Sequence, residues 1–489
     1  VRREICIDAV PGEVRVGLVE DGLLSEVLVE RPGARGVAGD IYLGRVRTLL
    51  PGLQAAFVDL GLERDGFLYV ENALEPKPLA DEDAPPPDLR IEHCLREGQE
   101  IVVQVVKDPM GTKGARITSH LALPGRFLVF LPGVRHIGVS RRIDDSDERE
   151  RLRSLVADLA ARLGAPGGFI VRTTCAALDT GDIEPDARSL LESWEAIRSL
   201  RERSSAPLRL HQEAGAVRRA LREWLDEGVR EVVVETPELL REAIGFVESA
   251  RPALAGRIRP HDGPRPLFEE RGLQAQLDRA LRSRVWLKSG GFIVINQTEA
   301  LVAIDVNTGK YVGRGRHEET IVRTNLEAVR EIVRQIRLRN LGGIIVIDLI
   351  DMQEPASRAT VLEALERELR KDRARCRMLP ISEFGLVEIT RQRMRPGLDG
   401  VMCRPCPACG GAGRTKSFET LASEIAREVR SRGAALLERR TVIRAHPEAA
   451  AALRGRGAVL LAEIGCAAGG LEFEDDPGLR PDQWILRVD

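Results

Sequence analysis

Residues 292–307 read FIVINQTEALVAIDVN, and residues 342–351 read GGIIVIDLID. The first stretch is a strand pair folded about a polar turn. The second is a continuous apolar run ending in acid, the pattern of a strand in the middle of a sheet. Side chains alternate with period two along a strand, so Asp305 and Asn307 share one face and Val306 points the other way. Asp348 lies near the C-terminal end of the second run, with Asp351 shortly after it. Acids at the ends of buried strands are costly unless paired or bound to a cation. Two such strands side by side bring Asp305 and Asp348 together. Oxygen ligands without His or Cys favour Mg²⁺ or Mn²⁺ over zinc. An ion held by two carboxylates with retained waters suits phosphoryl-ester hydrolysis. Capping of a turn or helix is the alternative for strand-end aspartates, and Asp351 needs no more than that.

Working outward, Thr320–Leu338 is a long basic helix between the two acid strands, with Arg323, Arg330, Arg334 and Arg337. The last three form one stripe. A solvated face is the default for such a stripe, and its place between the acid strands adds a phosphate-contact reading. Upstream, Leu273–Leu287 reads as a helix, and Val229–Glu235 as a buried strand followed by a helix to Ala250. The chain opens with strands Glu13–Glu20 and Leu24–Glu30 around an Asp-Gly turn. From about residue 39, IYLGRVRTLL, QAAFVDLG, DGFLYV, IVVQVVKD and ARITSHLAL make a set of short strands that suggests a small OB-type barrel. Glu75–Arg90 is Pro-rich and acidic and reads as an exposed loop. Phe57 and Phe67, with Lys107, Lys113 and Arg116, have the composition of a single-strand binder, aromatics for bases and cations for phosphates. Core packing is the alternative for both rings. Residues from about 121 to 217 mix strands Arg126–Leu131 and Gly168–Cys175 with charged helices Asp147–Leu163 and Ile183–Arg203. The tail Phe418–Asp489 reads helix, strand, helix, strand, strand.

At 489 residues the chain suggests about three domains. Its 43% hydrophobic and 30% charged residues exclude a disordered chain. A net charge of −2 means that any nucleic-acid surface must be local. No apolar run reaches the roughly 20 residues of a membrane span, and VRREICIDAVPGEVRV lacks the apolar core of a secretory signal. Cys6, Cys94, Cys175, Cys376 and Cys466 are scattered, unlike a disulfide framework. A reducing cytoplasm is expected. Cys403, Cys406 and Cys409 cluster in MCRPCPACGGAGR, where Cys406 and Cys409 before two glycines look like a zinc knuckle. No second C-x₂-C completes four ligands. Either Cys403 and a distant Cys or His complete the set, or two chains each donate a pair. An iron–sulfur site wants a cysteine where Gly413 stands, and free thiols in a turn are the plain alternative.

Together these segments resemble the ribonuclease E/G family. The resemblance rests on GLQAAFVDLG with DGFL, KDPMGTKGARIT, GVSRRI, FIVRTT, LKSGGFIVINQTEALVAIDVNTG, RLRNLGGIIVIDLIDM, KDRAR and CPACGGAG, in this order over nearly the whole chain. Ending soon after a small C-terminal unit is expected of the shorter, G-type members rather than of those with a long scaffold tail. The resemblance implies a multidomain α+β protein. An RNase H-like domain (1–38 and 218–281) carries an inserted S1 (OB) barrel (39–120) and a 5′-sensor domain (121–217). A DNase I-like catalytic domain (282–400), a zinc link (401–415) and a small C-terminal α+β domain (416–489) follow.

The implied activity is Mg²⁺-dependent endonucleolytic cleavage of single-stranded, A/U-rich RNA, stimulated by a 5′-monophosphate and leaving 5′-phosphate and 3′-hydroxyl ends. Implied substrates are the 16S ribosomal RNA precursor near its 5′ end and messenger RNAs. Asp305 and Asp348 match the family's Mg²⁺ ligands and Asn307 the residue that orients them. Gly125, Val129, Arg172, Thr173 and Arg375 match the 5′-phosphate pocket. Phe57, Phe67 and Lys113 match the RNA-holding residues of the barrel, against the core reading of the rings. Cys406 and Cys409 match a zinc pair donated by each of two protomers, with Cys403 an additional thiol, so a homodimer or a higher oligomer built on it is expected. Two other readings stand beside the nuclease: a non-catalytic RNA-binding or assembly protein, and an E-type catalytic half with broader substrates.

Overall fold

The computed structural model describes residues 1–488 except 32–35, 74–89, 110–112, 141–142, 144, 176–177, 309–316, 383, 394, 433–440 and 458–470. Most of the Pro-rich acidic stretch, and Cys466, therefore lie outside the described residues. The chain forms two compact units, residues 1–395 and 396–489.

The first unit opens with β1 (Arg3–Val10), β2 (Glu13–Glu20) and β3 (Leu23–Glu30). Asp21 and Gly22 both take positive φ, 51° and 81°, the type I′ turn that an Asp-Gly pair favours. The barrel follows: β4 (Ile41–Leu50), β5 (Ala55–Asp59), β6 (Gly66–Tyr69), a short helix α1 (Ile91–Cys94), β7 (Glu100–Lys107) and β8 (Arg116–Thr118). Pairing of β4 with both β5 and β7 closes the five strands on themselves. Its interior is Val46, Ala56, Val58, Leu68, Val103 and Ile117.

Next come β9 (Leu123–Pro124), β10 (Leu128–Pro132), β11 (Ile137–Val139), α2 (Ser146–Arg162), β12 (Gly167–Val171), α3 (Thr180–Glu202) and β13 (Leu208–His211). Here β9–β12 form a four-stranded sheet, and β13 adds to β4 beside the barrel. The Asp145 carboxylate caps α2 by accepting from the N–H groups of Asp147 and Glu148. Then α4 (Ala216–Trp224), β14 (Val229–Val234), α5 (Pro237–Ala250), β15 (Ile258–Pro260) and α6 (Leu267–Glu270) return to the start. β14 pairs in parallel with β1, Ile5 opposite Val232, giving a five-stranded sheet ordered β15-β14-β1-β2-β3.

The last part of this unit contains α7 (Leu273–Ala280), β16 (Arg284–Trp286), β17 (Phe292–Gln297), β18 (Leu301–Asn307), α8 (His317–Leu338), β19 (Gly343–Asp348), α9 (Pro355–Leu369), β20 (Cys376–Met378) and β21 (Leu386–Arg391). The helix expected over Leu273–Leu287 stops at Ala280. Beyond it, Val285 and Trp286 suit an extended backbone, and pairing of β16 with β17 outweighs the helical spacing. The sheet runs β16-β17-β18-β19-β21-β20. One face, with Ile293, Ile304, Ile345, Ile347 and Ile389, packs against Val329, Ile332 and Ile336 of α8 and Val361 and Leu365 of α9. The other carries the aspartates.

The arginine stripe of α8 does not act as one solvated or phosphate-facing row. Arg337 is buried and bridges to Glu20 (2.8 Å) and Glu26 (3.1 Å). Arg334 donates to Leu24 O at 2.7 Å. Both tie α8 to β2 and β3, and of the three only Arg330 is exposed.

The second unit holds α10 (Leu398–Met402), α11 (Phe418–Arg432), β22 (Thr441–Ala445), α12 (Pro447–Ala452), β23 (Leu471–Asp475) and β24 (Trp484–Val488). Its sheet is ordered β23-β22-β24, and Ile425, Val429 and Ile443 form its small core.

Candidate active site

β18 and β19 lie side by side in parallel, and their register places Asp305 directly opposite Asp348. Adjacent strands are about 4.8 Å apart, so the two carboxylates share one small patch of the exposed sheet face. Val306 turns into the core. Asn307 Nδ2 donates to Asp305 Oδ2 at 2.7 Å, fixing the carboxylate's orientation. Burial, then the charges of Asp305 and Asp351, raise the Asp348 carboxyl above its ordinary value. Asp351 therefore belongs to the same electrostatic cluster, a role that strand periodicity alone could not assign to a residue beyond the strand's end. Among the described residues no set of three or more His, Cys, Asp or Glu side chains is arranged as a metal cage. Two mutually repelling, solvent-facing carboxylates fit instead a hydrated Mg²⁺, which usually keeps several waters and takes one or two carboxylates.

On the barrel, Phe57 and Phe67 are opposite each other on β5 and β6. Their centroids are 5.5 Å apart, edge to face, and neither belongs to the buried core. Tyr69 extends the cluster, 4.7 Å from Phe67 and under the Arg116 guanidinium at 5.1 Å. Its alternation with Phe67 along β6 was the available sequence signal. Lys113 is exposed.

The predicted phosphate pocket is assembled in part. Arg172 Nη1 donates to Gly125 O at 2.6 Å. Asp186 on α3 accepts from the N–H groups of Arg126, Phe127 and Leu128 at 2.9–3.0 Å. A Cβ on Gly125 would meet an Asp186 oxygen at 2.4 Å, so only glycine fits this clamp. Val129 pairs with Ile170 in the adjacent strand, and Thr173, next to Arg172, is exposed. Burial pulls the Arg172 guanidinium down while the charge of Glu223 opposes it. Arg375 is exposed, just before β20. Its segment approaches the pocket: Arg373 also feels Glu223, and it helps burial and Arg251 lower Arg126 to about 10.

In the second unit Cys406 and Cys409 lie in a turn, Gly410 N–H donating to Cys406 O at 2.7 Å. Backbone N–H groups of Cys409 and Ala408 directed at Cys406 hold its thiol below the ordinary cysteine value. Gly413 N–H donates to Cys409 Sγ at 3.2 Å. The amides directed at Cys406 favour its thiolate, the form that binds zinc. Cys403 ends α10 with an exposed side chain.

The sequence is similar to those of known proteins. The model of the ribonuclease E/G family matches residues 122–394. Ribonuclease G of Escherichia coli (strain K12) is 39% identical over 463 residues, 94% of each chain. Ribonuclease G of Haemophilus influenzae is 41% identical over 428 residues, 87% of each chain. Ribonuclease E of Escherichia coli (strain K12) is 39% identical over 418 residues, covering 85% of this chain and 39% of that one. The match spans both aspartate-bearing strands and the Gly125–Arg172 clamp, and the chain belongs to the ribonuclease E/G family.

Proposed function

We propose that this chain is a Mg²⁺-dependent endoribonuclease specific for single-stranded, A/U-rich RNA. It leaves 5′-phosphate and 3′-hydroxyl ends, is stimulated by a 5′-monophosphate, and serves ribosomal RNA processing (the 16S precursor 5′ end) and mRNA decay in the cytoplasm. The observation that carries this reading is the register of Asp305 against Asp348 on an exposed sheet face, with Asn307 bonded to Asp305.

In this reading Asp305 and Asp348 hold Mg²⁺, with Mn²⁺ as a substitute, and Asn307 keeps Asp305 oriented. The bound ion supplies charge stabilisation and a more acidic attacking water. Phe57 and Phe67 stack bases while Lys113 meets a phosphate. Arg172, Thr173 and Arg375 grip a terminal monophosphate by charge-assisted hydrogen bonds, in a pocket shaped by Gly125 and Val129. A triphosphate is bulkier and more charged, which links decay to prior processing of the 5′ end. Cys406 and Cys409 of two protomers share a zinc ion, with Cys403 beside them, giving a homodimer. The sheet of β1–β3 with β14 and β15 is the RNase H-like part (1–38, 218–281) and the barrel (39–120) an S1 domain. Residues 121–217 are the sensor, 282–400 the DNase I-like domain, 401–415 the zinc link and 416–489 the small domain.

The test is cleavage of one A/U-rich oligoribonucleotide, made with a 5′-monophosphate or a 5′-hydroxyl, in Mg²⁺ or in EDTA. Internal cuts that need Mg²⁺ and run faster on the monophosphate are expected. Asp305→Asn and Asp348→Asn each abolish cutting while RNA binding survives. Full activity in either removes the metal assignment. Binding without cleavage by the unaltered protein moves it to the non-catalytic reading.

A further inference from the structure

The face that bears the aspartates continues past them to the end of the sheet. Trp286 on β16 is opposite Phe292 on β17, and Phe292 is opposite Asn307 on β18. Likewise Arg284 is opposite Val294, and Val294 is opposite Asp305. Directly opposed residues share a face, so Arg284, Trp286 and Phe292 stand on the aspartate side. Their neighbours Val285 and Ile293 turn into the core.

Trp286 is 64% exposed, an expensive position for the largest side chain unless something covers it. It is also ordered by its neighbours. Its ring lies 5.2 Å from Phe292, and the Arg284 guanidinium sits 4.5 Å over Phe292 and 5.9 Å over Trp286. The surrounding segment, residues 279–288, contains Arg279, Arg282, Arg284 and Lys288 and no carboxylate. Two strand spacings of about 4.8 Å separate β16 from β18. That span is about three steps of a stacked strand at roughly 3.4 Å each.

Resting on the nuclease reading above, we propose that Trp286, Phe292 and Arg284 form a second stacking platform, which holds a base of single-stranded RNA a few nucleotides from the bond cut at Asp305 and Asp348. An aromatic pair under a guanidinium, in a stretch of chain that carries four cations, matches the two faces of a single strand, bases and phosphates. Trp286 and Arg284 also edge a groove of about 1410 Å³, but its other wall carries Glu318, Glu319, Glu327, Glu331 and Glu354, which repel phosphates, so the aspartate face is the better path for the strand. A second copy of the chain is the other occupant of an exposed tryptophan, but the dense positive charge of residues 279–288 would repel its own image.

The probe is an A/U-rich oligoribonucleotide with a 5′-hydroxyl, titrated into the full-length protein in EDTA while tryptophan fluorescence is read. Quenching is expected, and it is lost in Trp286→Phe, since Trp224 is fully buried and Trp194 and Trp484 are half-buried. Trp286→Ala weakens binding about 5- to 150-fold, the range for losing one stacked base. In Mg²⁺ the same variant loses kcat/KM mainly through a higher KM, and Trp286→Tyr recovers most of it. Quenching that persists in Trp286→Phe, or unaltered affinity in Trp286→Ala, overturns the platform. So does a smaller assembly by light scattering in Trp286→Ala, which assigns the ring to a protein interface. Failure of the unaltered protein to cut in Mg²⁺ overturns the nuclease reading, while the titration in EDTA still scores the platform.

Discussion

Replacing Asn307 by alanine removes a single hydrogen bond, from Nδ2 to Asp305 Oδ2 at 2.7 Å, and leaves both aspartates in place. A hydrogen bond to a charged acceptor contributes about 1.5–3 kcal/mol. Asp305 is exposed, so water replaces the lost donor and the lower end applies. About 1.4 kcal/mol is a factor of ten in rate, so kcat/KM should fall roughly tenfold. The loss arises from a carboxylate that spends less time in its ligating orientation. Raising Mg²⁺ should therefore narrow it, and the Mg²⁺ midpoint should shift upward. The assay is initial-rate cleavage of a fluorophore-labelled A/U-rich oligoribonucleotide across a Mg²⁺ series. A loss near a thousandfold that Mg²⁺ does not reduce would place Asn307 on the reacting atoms and refute the orienting role. An unaltered rate and midpoint would show the bond to be incidental.

Three further outcomes are expected. Arg337→Met removes the shared partner of Glu20 and Glu26 in a largely buried place, leaving Glu26 with Arg395 at 3.6 Å, and should cost about 3 kcal/mol, the lower end for a broken buried pair, read by thermal melting. Burial pushes the Glu20 carboxyl up, but the hydrogen bond and charge of Arg337 outweigh it and hold the group below its ordinary value. Its contribution is thus present above about pH 4 and is lost as pH falls through the lowered folded value. In Arg337→Met only Ser25 and Arg3 still oppose burial, so the pH slope shrinks or reverses, and a melting profile with the same slope would contradict the assignment. Cys406→Ser with Cys409→Ser should yield zinc-free monomers by metal analysis and light scattering; a zinc-loaded dimer would point to other ligands. Arg172→Ala should shrink the preference for a 5′-monophosphate over a 5′-hydroxyl about tenfold, and an unchanged ratio would put the pocket elsewhere.

The aspartate pair was legible because its two strands are periodic, apolar and long enough to place side chains on faces. What periodicity does not contain is the neighbour. Arg334 and Arg337 read as a stripe, but β2 and β3, some 310 residues earlier, supply the partners that remove them from solvent. Trp286 was hidden by helical spacing that ends at Ala280, and only pairing with β17 makes its segment a strand. Gly125 was named through resemblance, and its physical reason is Asp186, which α3 brings back from 60 residues away. The rings of Phe57 and Phe67 were open to two readings, since alternation places them on a face without saying which face the barrel encloses.

The parallel pairing of β1 with β14 also sets an order of events during synthesis. Ile5 meets Val232, so about 230 further residues must leave the ribosome before the first strand gains its parallel neighbour. At about 5–20 residues per second that wait is roughly 11–45 s. The barrel closes through partners that all lie between β4 and β8, and it can finish while the opening hairpin is unsealed. During that interval the apolar side of β1–β3, including Ile5, Ile7 and Val16, has no cover from α4 or β14. This nascent stage is the one at which a holding chaperone would have most influence on yield.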